Sequence, residues 1–112
     1  MQLAKGAVQT GIILLQKKLG LEDSDIMHIL LAGAFGSYIR KESALRIGLL
    51  PAVAVEKIRF IGNAAAAGAQ MVLLSRHCRD KARELARKIE YVEIAHEPGF
   101  QDVFADSMLF KA

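Results

Sequence analysis

Gly33-Ala34-Phe35-Gly36, followed by Ser37 and Tyr38, is where residue types and spacing could first support chemistry. Two glycines three apart close an aliphatic run. Glycine has no Cβ, so the backbone can take positive φ and a flat ligand can lie against it. In open α/β sheets ligands gather at the carboxyl ends of strands, where this segment falls. The spacing fits neither the dinucleotide-binding fingerprint nor a Walker P-loop. A third glycine at the required distance is missing, and no Gly-Lys-Ser/Thr follows. On spacing alone a structural turn explains the glycines better than a ligand does.

The second candidate is residues 62–69, Gly-Asn-Ala-Ala-Ala-Ala-Gly-Ala. A helix surface of alanine and glycine has almost no side chain, so something is expected to pack very close to its first two turns. Close helix packing and a place at a lobe interface or beside a ligand both remain open. His28, His77 and His96 show no metal-site spacing. Cys78 is the only cysteine. It falls on an apolar line and reads as a buried small hydrophobe. The acidic pairs Asp23/Asp25 and Glu93/Glu97 read equally well as surface loop acids. Between Arg76 and Lys88 six cationic residues face Asp80 and Glu84. No aromatic residue is interleaved with them, so a solvated helix face is the better reading than a nucleic-acid surface.

Composition sets the frame for these residues. A chain of 112 residues suits one domain with a modest core. At 53% hydrophobic it is not a disordered chain, and with 6% aromatics and no tryptophan its core must be aliphatic. The net charge of +3 is too weak a bias to demand nucleic acid or anionic lipid. One cysteine excludes an internal disulfide and fits a reducing, cytoplasmic compartment. The longest weakly polar run, residues 60–74, contains Asn63 and Gln70 and falls short of a membrane span of roughly 20 residues. No signal peptide is legible at the start. The expectation is a protein that binds neither nucleic acid nor membrane.

Helices and strands alternate along the chain, as in an α/β domain. Residues 2–19 read as a helix whose apolar sector is wide, which predicts that it is largely buried. Gly20 is its stop. Residues 22–25 form a polar loop or single turn. Residues 26–32, apolar except for His28, suit a strand covered on both faces. Residues 42–47 read as a short helix ended by Gly48 and Pro51. Residues 58–61 read as a strand, and Asn63 as the cap of the Ala-rich helix. Residues 76–89 form a charged amphipathic helix with Cys78, Ala82, Leu85 and Ile89 in line. Residues 91–94 read as a strand and residues 98–109 as a final helix opened by Pro98. The first helix starts at residue 2 or 3 without a capping side chain, and Met1 reads as an added start. That pattern predicts a single domain, residues 1–112, cut from a longer protein.

Taken together, these segments resemble one family. QLAKGAVQTGI (2–12), LLAGAFGSYI (30–39), ALRIGLLP (44–51), IGNAAAAGAQMVLLSR (61–76) and EYVEIAHEPGFQDVFADSMLF (90–110) look like the C-terminal part of the reductive activators of corrinoid proteins. The ATPase core of that family belongs to the superfamily of acetate and sugar kinases, heat-shock chaperones and actin. The resemblance covers nearly the whole chain, in order.

The resemblance implies a partial actin-like ATPase subdomain, a small sheet packed by helices. Gly33, Ala34, Phe35, Gly36 and Ser37 would be the loop that lies against the adenosine of ATP. The usual motif carries two adjacent glycines, and here the second is Ala34. The Ala-rich helix would pack at the hinge between lobes. The family uses ATP with magnesium and a [2Fe-2S] cluster to return corrinoid cobalt(II) to cobalt(I), with a corrinoid protein as partner. The cluster and the phosphate loops would lie upstream of these residues, so no catalytic or metal residue is assigned here and the chain alone should be inactive. The alternatives are a non-enzymatic interaction or homodimerisation module and a regulatory nucleotide sensor.

Overall fold

The computed structural model describes residues 2–33 and 39–109. Helix α1 (Gln2–Leu19) leads through a 3₁₀ turn at Asp23–Asp25 to strand β1 (Ile29–Ala32). Helix α2 (Lys41–Arg46) precedes strand β2 (Ile58–Gly62). Helices α3 (Ala64–Leu74), α4 (Arg76–Lys88) and α5 (Phe100–Ser107) follow. The two strands run parallel, with Ile29 opposite Ile58, Leu31 opposite Phe60, and Ala32 opposite Gly62 after an irregularity in the ladder. Parallel strands need a crossover between them, and the segment containing α2 supplies it.

The core is aliphatic, as the composition requires. Ala44, Leu50 and Ile58 are buried at its centre, with Ile29, Leu31, Leu45 and Val53 packed around them. A second packing unit joins the two ends of the chain, where α1 lies against α5. Gly6 makes that approach possible. A Cβ on Gly6 would stand 2.7 Å from Met108 Cγ and 3.3 Å from Phe104 Cε1. Phe104 also meets Phe100 edge to face at 5.4 Å between ring centres. Thr10, fully buried on the same helix, satisfies its hydroxyl by donating to the Gly6 carbonyl at 2.6 Å.

Three sequence-based expectations are corrected. First, α1 is not largely buried. Leu3, Val8, Leu15 and Leu19 are exposed, and the enclosed side carries Lys5, Gly6, Thr10 and Leu14. Ala4 and Val8 line an apolar cavity of about 260 Å³ between α1 and β1, together with Leu31 and Ile39. Second, the sheet is covered on one face only among the described residues. Burial alternates along β1, leaving Leu30 57% exposed, with Ile61 also open on β2. Third, residues 91–93 form no strand, and a 3₁₀ turn follows at Ile94–His96. Pro98 and Gly99 (φ 83°) turn the chain straight into α5, and Ile94 packs beside Gly11 of α1 instead of a sheet.

Candidate functional site at the carboxyl edge of the sheet

The register places two turns side by side. Ala32 stands opposite Gly62, so the chain leaves β1 at Gly33 and β2 at Asn63 on the same edge. Neighbouring strands lie about 4.8 Å apart, which brings the two exits together. Both exits need glycine: Gly33 has φ 82° and Gly62 φ 67°, in the left-handed region that side chains disfavour. Among the described residues no atom lies within 4 Å of where a Cβ on either would stand. Among the described residues the edge is therefore open as well as bent.

Gly62 hands the chain directly to α3. Asn63 caps this helix, its side-chain oxygen accepting from the Ala66 N–H at 3.0 Å. The first-turn N–H groups of α3 lie beside the exit from β1, and a helix amino end carries partial positive charge. A flat group could lie on the Gly33 backbone with a polar or anionic portion near this end. Lys41, at the start of α2, holds its ammonium 5.3 Å from the centre of the Phe60 ring on β2.

Of the residues expected to contact a nucleotide, Gly33 is placed at this edge. Ala34, Phe35, Gly36 and Ser37 lie outside the described residues. The pairing of Ala32 with Gly62, which joins the two glycine segments into one edge, was not legible from spacing. The strand-ending glycine at residue 62 was the available signal.

The Ala-rich surface of α3 is open in this chain. No residue of α3 is buried, and nothing among the described residues lies within 4 Å of a Cβ placed on Gly68. The expected close neighbour of its first two turns is not among them. Cys78 is half-buried on α4 rather than enclosed. No group of three His, Cys, Asp or Glu side chains comes together among the described residues, and none of the described helices is long and apolar enough to cross a membrane.

A parallel pair with its glycine edge running into a capped helix is the ligand-facing edge of an α/β sheet. The chain belongs to the family described as the C-terminal domain of RACo, the ASKHA domain, whose model matches residues 1–112. It is 39% identical over 97% of its length to the corrinoid activation enzyme RamQ of Eubacterium limosum, spanning 18% of that protein. It is 31% identical over 77% of its length to the Co(II) methylated amine-specific corrinoid protein reductase of Methanosarcina barkeri, spanning 16% of it. The solved structure of a reductive activator for a corrinoid, iron-sulfur protein superposes over 97% of the chain with a TM-score of 0.88 at 32% identity, and the chain spans 17% of that structure.

Proposed function

We propose that this chain is the C-terminal part of the ATPase domain of a longer activator that reduces corrinoid cobalt(II) to cobalt(I). The chain contributes one wall of the nucleotide cleft, with Gly33 and the segment to Ser37 against the adenosine of magnesium-bound ATP. The observation that carries this reading is the shared edge, where Gly33 and Gly62 turn out of a parallel sheet side by side with, among the described residues, nothing within 4 Å of a Cβ placed on either. The names of the three relatives, a corrinoid activation enzyme, a corrinoid protein reductase and a reductive activator, support the wider activity.

The residues present do not fit a [2Fe-2S] cluster. Such clusters take four cysteine ligands, and Cys78 is the only cysteine. In this reading the cluster, the phosphate-binding loops and the magnesium carboxylates belong to other parts of the longer protein. The 112-residue chain by itself binds ATP weakly or not at all and reduces nothing.

Calorimetry tests both halves of the proposal. The longer protein should bind magnesium-ATP with a measurable heat, and residues 1–112 alone should not. Tight, magnesium-dependent binding by the isolated chain contradicts the split cleft. No binding by the longer protein contradicts the nucleotide reading itself.

The uncovered face of the sheet favours a second reading, an interaction or dimerisation module. Leu30 and Ile61 are exposed apolar side chains there. In the ATPase reading the rest of the domain packs on this face. A longer protein that binds no nucleotide but forms a dimer through these residues supports the module instead.

A further inference from the structure

Helix α4 carries its arginines on one line. Arg76, Arg79, Arg83 and Arg87 recur at i, i+3, i+7 and i+11. At 3.6 residues per turn they fall within about 80° of arc along about 16 Å of helix. All four are exposed, and no residue of α4 is buried. Lys81 and Lys88 stand on a different flank, so the two kinds of cation are sorted rather than mixed.

Little among the described residues neutralises this line. Asp80 meets Arg83 at 3.8 Å and Glu84 meets Lys88 at 3.6 Å, both in open solvent, where such pairs contribute little. Arg79 donates to the Val72 carbonyl at 3.1 Å, which ties α4 to α3 through an uncharged acceptor. Beyond α3, α4 has no extensive packing partner among the described elements. The radius of gyration, 16.1 Å, exceeds the roughly 13 Å of a compact chain of this length, in keeping with a hairpin that projects.

We propose that this arginine line docks an acidic protein surface that presents carboxylates along a helix or strand. The guanidinium fork matches a carboxylate with two parallel hydrogen bonds, which a lysine cannot do. A nucleic acid fits less well, because no aromatic residue on α4 can stack on a base and Asp80 and Glu84 sit among the cations. A membrane surface fits less well too. An in-plane helix inserts a face of large apolar side chains such as Trp, Phe and Leu, and here that face offers only Cys78, Ala82, Leu85 and, at its end, Ile89. Resting on the activator reading above, the partner is the corrinoid protein.

Two matched double variants of the longer protein test the proposal. Arg83→Gln/Arg87→Gln and Lys81→Gln/Lys88→Gln each remove two charges, from different flanks of one helix. Binding to the purified corrinoid protein is followed by interferometry at about 50 and 200 mM salt. The arginine pair should lower affinity at least about tenfold at low salt, mainly through the association rate, and flatten the salt dependence, while the lysine pair stays within about twofold. Magnesium-ATP binding should be unchanged in both variants, so the nucleotide reading stands or falls on its own calorimetry. Unchanged affinity in the arginine pair overturns the docking line, and so does an equal loss in both pairs, which would report net charge only. Failure of the unsubstituted protein to bind the corrinoid protein overturns it as well. Arginine-dependent binding to anionic vesicles or single-stranded RNA, or arginine-dependent self-association, in place of that binding also overturns it.

Discussion

The ammonium of Lys5, 1% exposed on α1, donates to the carbonyl of Ser107 at the end of α5 at 2.5 Å. It also donates to the carbonyl of Leu109. A buried lysine is costly unless its donors are used, and here they satisfy carbonyls that a helix end leaves without intrahelical partners. A positive charge at a helix carboxyl end is favourable in its own right. One side chain near the start of the chain thus fixes the last helix in place. Lys5→Met keeps the apolar stem and removes the donors. It should lower stability by about 3 kcal/mol, because buried carbonyls lose charged hydrogen bonds. Urea unfolding followed by circular dichroism measures the loss. A change under about 0.5 kcal/mol would show that water replaces the ammonium at no cost.

Asn63 and Ser75 begin α3 and α4 with the same device. Asn63 accepts from the Ala66 N–H at 3.0 Å, and Ser75 accepts from the Cys78 N–H at 3.2 Å. Replacing either by alanine should cost about 1 kcal/mol. The two losses should add, since each cap serves its own helix. Thermal melts of the two single variants and the double variant check the sum.

Gly33 holds φ at 82°, and among the described residues nothing lies within 4 Å of a Cβ placed on it. Gly33→Val should therefore destabilise the fold by only about 1–2 kcal/mol, from backbone strain rather than from a clash. If adenosine lies on this backbone, the same change should weaken magnesium-ATP binding by the longer protein at least about tenfold, equivalent to ~1.4 kcal/mol. Calorimetry reads the binding and a melt reads the fold. Loss of stability with full nucleotide affinity would leave Gly33 as a turn residue only.

Local pattern made most of the elements legible. The 3.6-residue spacing marked α1 and α4, Gly20 and Gly48 marked ends, and Asn63 marked a start. What escaped the sequence was whatever depends on neighbours. Tyr91 and Val92 alternate with Glu93 like a strand, yet the chain turns at Gly99 before any partner strand can be met. The apolar stripe of α1 predicts its buried side. The glycine at residue 6 lets α5 settle on a different side, leaving the stripe beside a cavity. The pairing of Ala32 with Gly62 is a matter of register, set by contacts across the sheet, so the site edge could be suspected from two glycine segments but not assembled from them. Lys5 gave no sequence signal at all, because a lysine in a helix is ordinarily solvated.

Gly6 and Gly68 give opposite expectations for one substitution. Both lie inside helices, where alanine is favoured over glycine by about 0.8–1 kcal/mol. At Gly68 a Cβ meets nothing among the described residues, so Gly68→Ala should stabilise the 112-residue chain by about 1 kcal/mol. At Gly6 the Cβ would press on Met108 Cγ at 2.7 Å, near that residue's backbone rather than at the far end of its side chain. Overpacking of this kind costs about 1–3 kcal/mol and outweighs the helix gain, so Gly6→Ala should destabilise. The longer protein extends the comparison. If another lobe packs against the alanine face of α3, as the hinge reading requires, Gly68→Ala should change sign there and destabilise, while Gly6→Ala destabilises in both. Melts of the two variants in both chain lengths measure this directly, and a stabilising Gly68→Ala in the longer protein would remove α3 from the lobe interface.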